Sequence, residues 1–315
     1  MLSMFNMVRN ENMKIYRRIS TIIMIGILVL IVLAAALIIK FVEKDSKVDW
    51  RSDLIQQNQN YEKTLMSPGI PKATEDSLTS LIKINEYRLA HNIPPESDKS
   101  LWGFTNGAKG IISLISLFVI ILGSSSTANE FSSGTIKLLL IRPVKRWKIL
   151  LSKYISTLLA ALLMLIILFV VSLLLGGIFF GFKGISQPYL AYSNDVVRET
   201  NYVMQIFFEY GLKCVDMLMM VTLAFMISVV FRNNALAIGI GVFLLFSGSM
   251  IVAIFSQYDW VKYILFANTD LKQYFDGTPL VKGMTLGFSL AVLAIYFAVF
   301  NIISWTTFIK RDVAA

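Results

Sequence analysis

Residues 130–153 read EFSSGTIKLLLIRPVKRWKILLSK and lie between two long apolar segments of the chain. The stretch carries six Lys or Arg residues and a single acid, Glu130. Basic loops that connect membrane spans are retained on the cytoplasmic side of the membrane. The stretch therefore predicts a membrane-crossing chain that presents a basic surface to the cell interior.

The composition of the whole chain agrees with a membrane protein. Of its 315 residues 56% are hydrophobic and only 16% are charged, less than in soluble domains. The net charge of +9 is divided between membrane sides, which argues against a nucleic-acid partner. With one cysteine, Cys214, and one histidine, His91, we expect no disulfide framework and no metal site.

Six apolar stretches reach the length that a membrane-spanning helix needs. They predict an all-α, polytopic membrane protein with six transmembrane helices. We place the spans at Ile19–Ile39, Phe104–Ser126, Tyr154–Phe182, Gln205–Phe231, Ala235–Phe255 and Met284–Ile309.

The distribution of Lys and Arg predicts the orientation. With the amino terminus inside, the cytoplasmic parts are residues 1–18, 127–153, 232–234 and the tail after Ile309. They hold thirteen of the 29 Lys and Arg residues but only three of the 20 Asp and Glu residues. Both termini are therefore expected in the cytoplasm.

Regions outside the spans carry helical patterns of their own. Apolar residues near helical period predict that residues 1–18 form an amphipathic helix on the inner membrane surface. Between spans one and two, a Pro- and Gly-containing break at 67–71 separates two helical patterns. The chain then divides into the interfacial helix 1–18, the first span 19–42, an extracellular helical hairpin 43–103, and spans two to six in 104–315, with the cytoplasmic loop 127–153.

Four charged residues lie within the predicted spans, where a charge is costly. Glu209, Lys213 and Asp216 follow i, i+4 and i+7 spacing, so they share one face of a helix. They predict either the lining of a translocation path or intramembrane ion pairs, and Glu before Lys at i, i+4 favours a local pair. Lys109, near the outer end of the second span, is placed to pair with Asp216 or to reach the headgroups.

Motifs of self-contained catalysis are absent from the sequence. There is no Gly-x-x-x-x-Gly-Lys-Ser/Thr loop to hold the phosphates of ATP, no His-Glu-x-x-His zinc motif and no Gly-x-Ser-x-Gly elbow. We expect no catalytic residues and do not expect an enzyme.

Several short stretches carry a resemblance to a known family. They are NEF at 129–131, GTIKLLL at 134–140, RPV at 142–144, RWK at 146–148, INEYRL at 84–89, IPP at 93–95, YILFAN at 263–268 and IKRD at 309–312. Together they resemble the membrane subunit, or permease, of bacterial type-2 ABC transporters of the exporter family.

The resemblance implies a partner that supplies the energy. A separate cytoplasmic ABC ATPase subunit would bind ATP and Mg²⁺, and this chain would bind no cofactor itself. In the family, the loop between spans two and three forms a coupling helix that rests in a groove of the ATPase. Carried over, this assigns ATPase coupling to Glu130, Phe131, Gly134, Thr135, Lys137, Arg142 and Pro143.

The resemblance also implies a second permease copy or a related permease, contact with membrane lipid, and a place in the bacterial cell membrane. It leaves open whether the pair is a homodimer or a heterodimer, and which substrate is exported. Two other classes of function remain as alternatives. One is a membrane-bound sensor or accessory protein that recognises an extracellular ligand, and the other is a secondary transporter.

Overall fold

The computed structural model describes residues 4–42, 49–70, 72–132, 144–182, 187–193, 196–275, 279 and 281–310. Among these residues, six helical segments are long and apolar enough to cross a membrane, as predicted. They are Ile19–Phe41, Leu101–Glu130, Arg146–Phe180, Tyr202–Phe231, Asn234–Phe255 and Leu286–Lys310.

We number the α-helices in chain order. They are α1 (Met4–Tyr16), α2 (Ile19–Phe41), α3 (Trp50–Leu65), α4 (Lys72–His91), α5 (Leu101–Gly107), α6 (Ile112–Ser132), α7 (Arg146–Phe180), α8 (Tyr202–Phe231), α9 (Asn234–Phe255), α10 (Leu265–Thr269) and α11 (Leu286–Lys310).

Helices α6 and α8 form the centre of the bundle. In the apolar windows of these two spans 67% and 61% of the residues are buried, whereas the other four spans are buried to between 17% and 33%. Ser228 ties the two central helices together, since its Oγ donates to Ser124 O at 2.5 Å and accepts from Ala128 N at 3.1 Å. The remaining spans surround this pair and leave most of their apolar surface for lipid or for a partner.

Several predicted span boundaries differ from the structure by a few residues. The second span starts at Leu101 instead of Phe104, and a 3₁₀ turn at Ala108–Ile111 interrupts it. The third span starts at Arg146, eight residues before the predicted Tyr154. The added turns are helical because Ile149 and Leu150 are buried against the bundle, so the polar residues beside them do not end the helix.

The amino-terminal helix α1 lies against the third span. A turn at Arg17–Arg18 separates it from α2. Ser156 Oγ on α7 donates to Val8 O at 3.2 Å, and Ile15 and Tyr16 pack against the main core. Because this helix is docked on α7, it is part of the helical assembly in addition to being amphipathic.

The segment between spans one and two folds as a helical hairpin. Helices α3 and α4 pack through the buried side chains of Leu54 and Ile82. A hydrogen bond of 2.8 Å from Asn85 Nδ2 to Asn58 Oδ1 joins the helices in the same interface. The bond satisfies two buried amides that would otherwise be costly.

A two-stranded sheet departs from the all-α prediction. Strand β1 (Pro188–Ser193) pairs antiparallel with β2 (Val196–Asn201), and Pro188 lies opposite Asn201. The strands contain two Tyr, two Val and one Thr, residue types that favour strands. The sheet also braces the helical hairpin, because Tyr87 OH on α4 donates to Glu199 Oε1 on β2 at 3.3 Å.

The bundle has two ends of different character. The terminal end carries α1 and the end of α11, where Arg146 Nη1 donates to Ile309 O at 3.2 Å. The hairpin end carries α3, α4, β1, β2, α5 and residues 259–275. In that last segment α10 lies between 3₁₀ helices at Asp259–Tyr263 and Leu271–Tyr274.

Candidate functional site

Two groups of charged residues lie at opposite ends of the bundle. The first, at the terminal end, we call the Lys153 cluster; it consists of Glu11, Lys14, Glu130 and Lys153. Lys153 Nζ is 2.6 Å from Glu130 Oε1 and 3.0 Å from Glu11 Oε2. Lys14 Nζ lies 2.6 Å from Glu11 Oε1 and 3.3 Å from Glu130 Oε1. Three helices, α1, α6 and α7, therefore meet at one set of ion pairs.

The buried position of Lys153 requires its charge to be paired. The Lys153 side chain is only 1% exposed, although it belongs to the stretch predicted to be a cytoplasmic loop. A buried ammonium is tolerated when it is paired and its protons are hydrogen-bonded. Besides the two carboxylates, Lys153 Nζ donates to Ser126 O at 3.2 Å. Two Lys and two Glu side chains make the cluster neutral as a whole.

The α1 members of the cluster have shifted pKa values. Burial alone would raise the pKa of the Glu11 carboxyl, but the charges of Lys153 and Lys14 and their hydrogen bonds outweigh it and lower the pKa. Burial likewise opposes the charge on Lys14, yet its contacts with Glu11 and Glu130 raise the pKa of the ammonium. Both shifts favour the charged forms, so α1 is held in place by charge at neutral pH.

The predicted ATPase-coupling residues divide at the end of α6. Glu130 lies in its last turn, inside the Lys153 cluster. Phe131 belongs to the same helix, but the placement of its side chain is not described. Beyond the helix, the structure leaves these predicted residues outside the described ranges: Gly134, Thr135, Lys137, Arg142 and Pro143.

The second group, at the hairpin end, we call the Glu209 cluster; it consists of Lys109, Glu209, Lys213, Asp216, Asp270 and Lys272. Glu209 on α8 is 2% exposed and pairs with Lys109 and with Lys272, whose Nζ is 3.1 Å from Glu209 Oε1. Lys213 is paired with Asp270 at 3.6 Å, and not with Glu209 as the i, i+4 spacing suggests. Lys109 contacts Glu209 instead of Asp216.

Breaks in helical structure bring these charges together. Lys109 lies on the 3₁₀ turn within the second span, and Lys272 lies on the 3₁₀ helix Leu271–Tyr274. These irregular turns deliver two ammonium groups to the buried carboxylate of Glu209. The cluster borders a cavity of about 260 Å³, whose lining includes Lys109, Glu209, Lys213, Asp216 and Lys272.

A second cavity, of about 330 Å³, lies next to this one; we call it the aromatic groove. Its walls come from α4, β1, the first turns of α8 and residues 274–275. Phe208 and Phe275 meet edge to face there, with ring centroids 4.8 Å apart. Gln205 joins the two cavities, because it lines the groove and its Nε2 donates to Glu209 Oε1 at 3.3 Å.

The chain matches a known protein family over residues 77–314, a family described as "Protein of unknown function (DUF2705)". The chain belongs to the DUF2705 family. The DUF2705 match covers Glu130, Lys153 and the whole Glu209 cluster but starts after α1, so Glu11 and Lys14 lie outside it.

Two relatives from Bacillus subtilis strain 168 are similar to this DUF2705 member. "Uncharacterized protein YhcI" is 44% identical over 315 residues, which cover 99% of this chain and 100% of YhcI. "Uncharacterized membrane protein YdbK" is 30% identical over 220 residues, which cover 69% of this chain and 85% of YdbK. Together with the six apolar helices, this relationship identifies the chain as a mostly helical, multi-pass membrane protein.

Local sequence explains only some members of the two clusters. The spacing of Glu209, Lys213 and Asp216 identified one polar face of α8. Glu11, Lys272 and Asp270 have no such local signal, because their partners are far away along the chain. Within the described residues, no group of three or more His, Cys, Asp or Glu side chains is arranged to hold a metal ion.

Proposed function

We propose that this chain is the permease subunit of an ATP-driven exporter of the type-2 ABC class. The observation that carries the proposal is the place of Glu130. It lies at the end of a central span, directly before the basic loop, and is bound to α7 through Lys153 and to α1 through Lys14. A force applied to the loop therefore has a rigid, ion-paired connection into three helices.

The orientation in this proposal follows the basic residues. The terminal end, with Arg9, Arg17, Arg18, Lys145 and Lys148, faces the cytoplasm, and the hairpin end faces outward. Both termini are then cytoplasmic and the α3–α4 hairpin is extracellular. The membrane in question is the bacterial plasma membrane.

The proposed mechanism uses a separate motor. A cytoplasmic ATPase subunit binds ATP and Mg²⁺, and closure of the ATPase pair displaces the loop that follows Glu130. Because Glu130 is tied to Lys153, α6 and α7 move together as rigid elements. Helix α6 also packs on α8 through Ser228, so this motion rearranges the centre of the bundle and the path beside the Glu209 cluster.

The experiment is an ATP-hydrolysis assay on the complex of this chain with its co-purified ATPase in lipid nanodiscs. Glu130→Gln keeps the shape of the side chain and removes its charge. We expect the variant complex to assemble but to lose the hydrolysis that the permease stimulates. Glu199→Gln is the matched control, since it makes the same change at an exposed residue of β2, at the opposite end of the bundle.

Two results would overturn the proposal. One is a tagged chain that captures no nucleotide-hydrolysing subunit from its native membrane. The other is an assembled Glu130→Gln complex that hydrolyses ATP at the rate of the unaltered complex. The first result would favour the sensor alternative, for which the aromatic groove on the hairpin end is the natural ligand site.

A further inference from the structure

The charged residues that line the cavity at the Glu209 cluster carry a net charge of +1. Three ammonium groups, from Lys109, Lys213 and Lys272, face it together with the carboxylates of Glu209 and Asp216. Glu209 is engaged by two of these lysines.

Lys213 is the ammonium group held least firmly. Its contact with Asp270 spans 3.6 Å, and the Asp270 side chain is 61% exposed. Exposed ion pairs of this kind contribute little to stability, because water screens them. An anion that enters the cavity can therefore bind Lys213 without breaking a buried pair.

The neighbouring aromatic groove supplies an apolar surface. Phe208 and Phe275 lie in the groove, and Gln205 leads from it to Glu209. The 3₁₀ helix that delivers Lys272 to the cavity also delivers Tyr274 to the groove. Cationic and apolar surfaces thus adjoin along one edge of α8, as binding of an amphiphile requires.

We propose that the cavity and the groove form one binding site for an anionic amphiphile. Its phosphate group lies against Lys213 and Lys272, and its apolar chain lies against Phe208 and Phe275. An anionic amphiphile is then the class of substrate that the chain exports, so this inference rests on the proposed function. Binding of zwitterionic or cationic molecules is disfavoured, because the cavity lining has a net positive charge and Glu209 is already paired with two lysines.

The test is a binding titration by calorimetry on the full chain, purified in a non-ionic detergent without any ATPase. The probes are dihexanoyl phosphatidic acid, dihexanoyl phosphatidylcholine and inorganic phosphate, each corrected for its heat with empty micelles. We expect saturable binding of the phosphatidic acid, at least about tenfold tighter than binding of either other probe.

Variants separate the two halves of the site. Lys213→Gln/Lys272→Gln should weaken binding of the phosphatidic acid about tenfold or more, since charged hydrogen bonds are lost. Phe208→Ala should weaken binding of the phosphatidic acid and leave any binding of inorganic phosphate unchanged. Lys262→Gln is the control, because Lys262 lies on the same loop segment but does not line the cavity.

Lys213→Gln alone replaces the double variant if the latter elutes as an aggregate, since the ion pair of Lys213 with the exposed Asp270 is weak. Equal binding of phosphatidic acid and phosphatidylcholine would overturn the proposal. So would unchanged binding in the lysine variant, or inorganic phosphate that binds as tightly as the lipid. The titration contains no ATPase, so its failure is distinct from a failure of the ATP-hydrolysis assay.

Discussion

Lys153 Nζ lies 2.6 Å from Glu130 Oε1, in a position where the lysine side chain is 1% exposed. This pair connects the last turn of the central helix α6 to the beginning of α7. It therefore makes the start of the basic loop part of the bundle. In the proposed mechanism, this connection passes displacement of the loop to the spans.

Lys153→Gln should destabilise the protein by about 3–5 kcal/mol, because it removes a buried ammonium and leaves the partly buried carboxylates of Glu11 and Glu130 with Lys14 as their remaining cationic partner in the cluster. The measurement is thermal unfolding in detergent, followed by the fluorescence of a thiol-reactive dye. Lys148→Gln, five residues earlier on the same helix, is the control and should change the unfolding temperature little. Equal unfolding temperatures for the two variants would contradict the cluster as described.

Docking of α1 should be lost in acid. The pKa of Glu11 is lower in the folded protein than its usual value of 4.5. A lowered carboxyl pKa contributes stability that is present above 4.5 and is lost as the pH falls through the folded value. Lys14 has a raised pKa, so its contribution is complete below 10.5 and is lost only as the pH rises through the higher folded value.

Hydrogen exchange of the α1 amides measures this dependence. We expect protection to be constant near neutral pH and to fall in acid, after correction for the intrinsic pH dependence of exchange. Glu11→Gln should weaken protection at neutral pH and remove the acid transition. An unchanged acid transition in that variant would assign it to another group.

Glu209→Gln should destabilise the hairpin end by about 3 kcal/mol, since it leaves Lys109 and Lys272 facing each other without a buried counter-charge. Glu199→Gln is a suitable control, because Glu199 accepts one exposed hydrogen bond from Tyr87. Unfolding temperatures of both variants make the comparison. A Glu199 variant that unfolds at a lower temperature than the Glu209 variant would contradict the Glu209 cluster as described.

The paired amides of the hairpin should show non-additive effects. Asn85→Leu leaves the buried amide of Asn58 without its partner and should destabilise the hairpin by about 1–3 kcal/mol. Asn58→Leu/Asn85→Leu removes both polar groups and should recover part of this loss. Protease digestion of the α3–α4 connection gives the measurement, and simple additivity of the two changes would contradict the bond.

The elements of this fold that depend on local sequence pattern could be predicted. The spans follow from apolar length, and α3 from its helical period between the first span and a Pro-Gly break. Partner choice is different, because it is decided by the fold. Glu209 binds Lys109, which is 100 residues away along the chain, instead of Lys213 one turn away.

Two further features show the same limit. In the sequence, Lys153 looks like one more basic residue of a cytoplasmic loop. Its side chain is buried only because α1 and the end of α6 pack against it. The β1–β2 hairpin has a visible signal, since Tyr189, Tyr192, Val196 and Val197 flank an Asn-Asp pair at 194–195. That signal is short, and the surrounding apolar helices dominate the pattern.

Site-specific photo-crosslinking in native membranes shows whether the basic loop contacts an ATPase. A photoreactive residue replaces Thr135 in the basic loop, and another replaces Met66, which is exposed on the hairpin end. We predict that the residue at 135 crosslinks to a cytoplasmic ATPase that carries a phosphate-binding loop, and that the residue at 66 does not. Crosslinks from 135 to lipid or extracellular proteins alone, with the ATPase present, would contradict it.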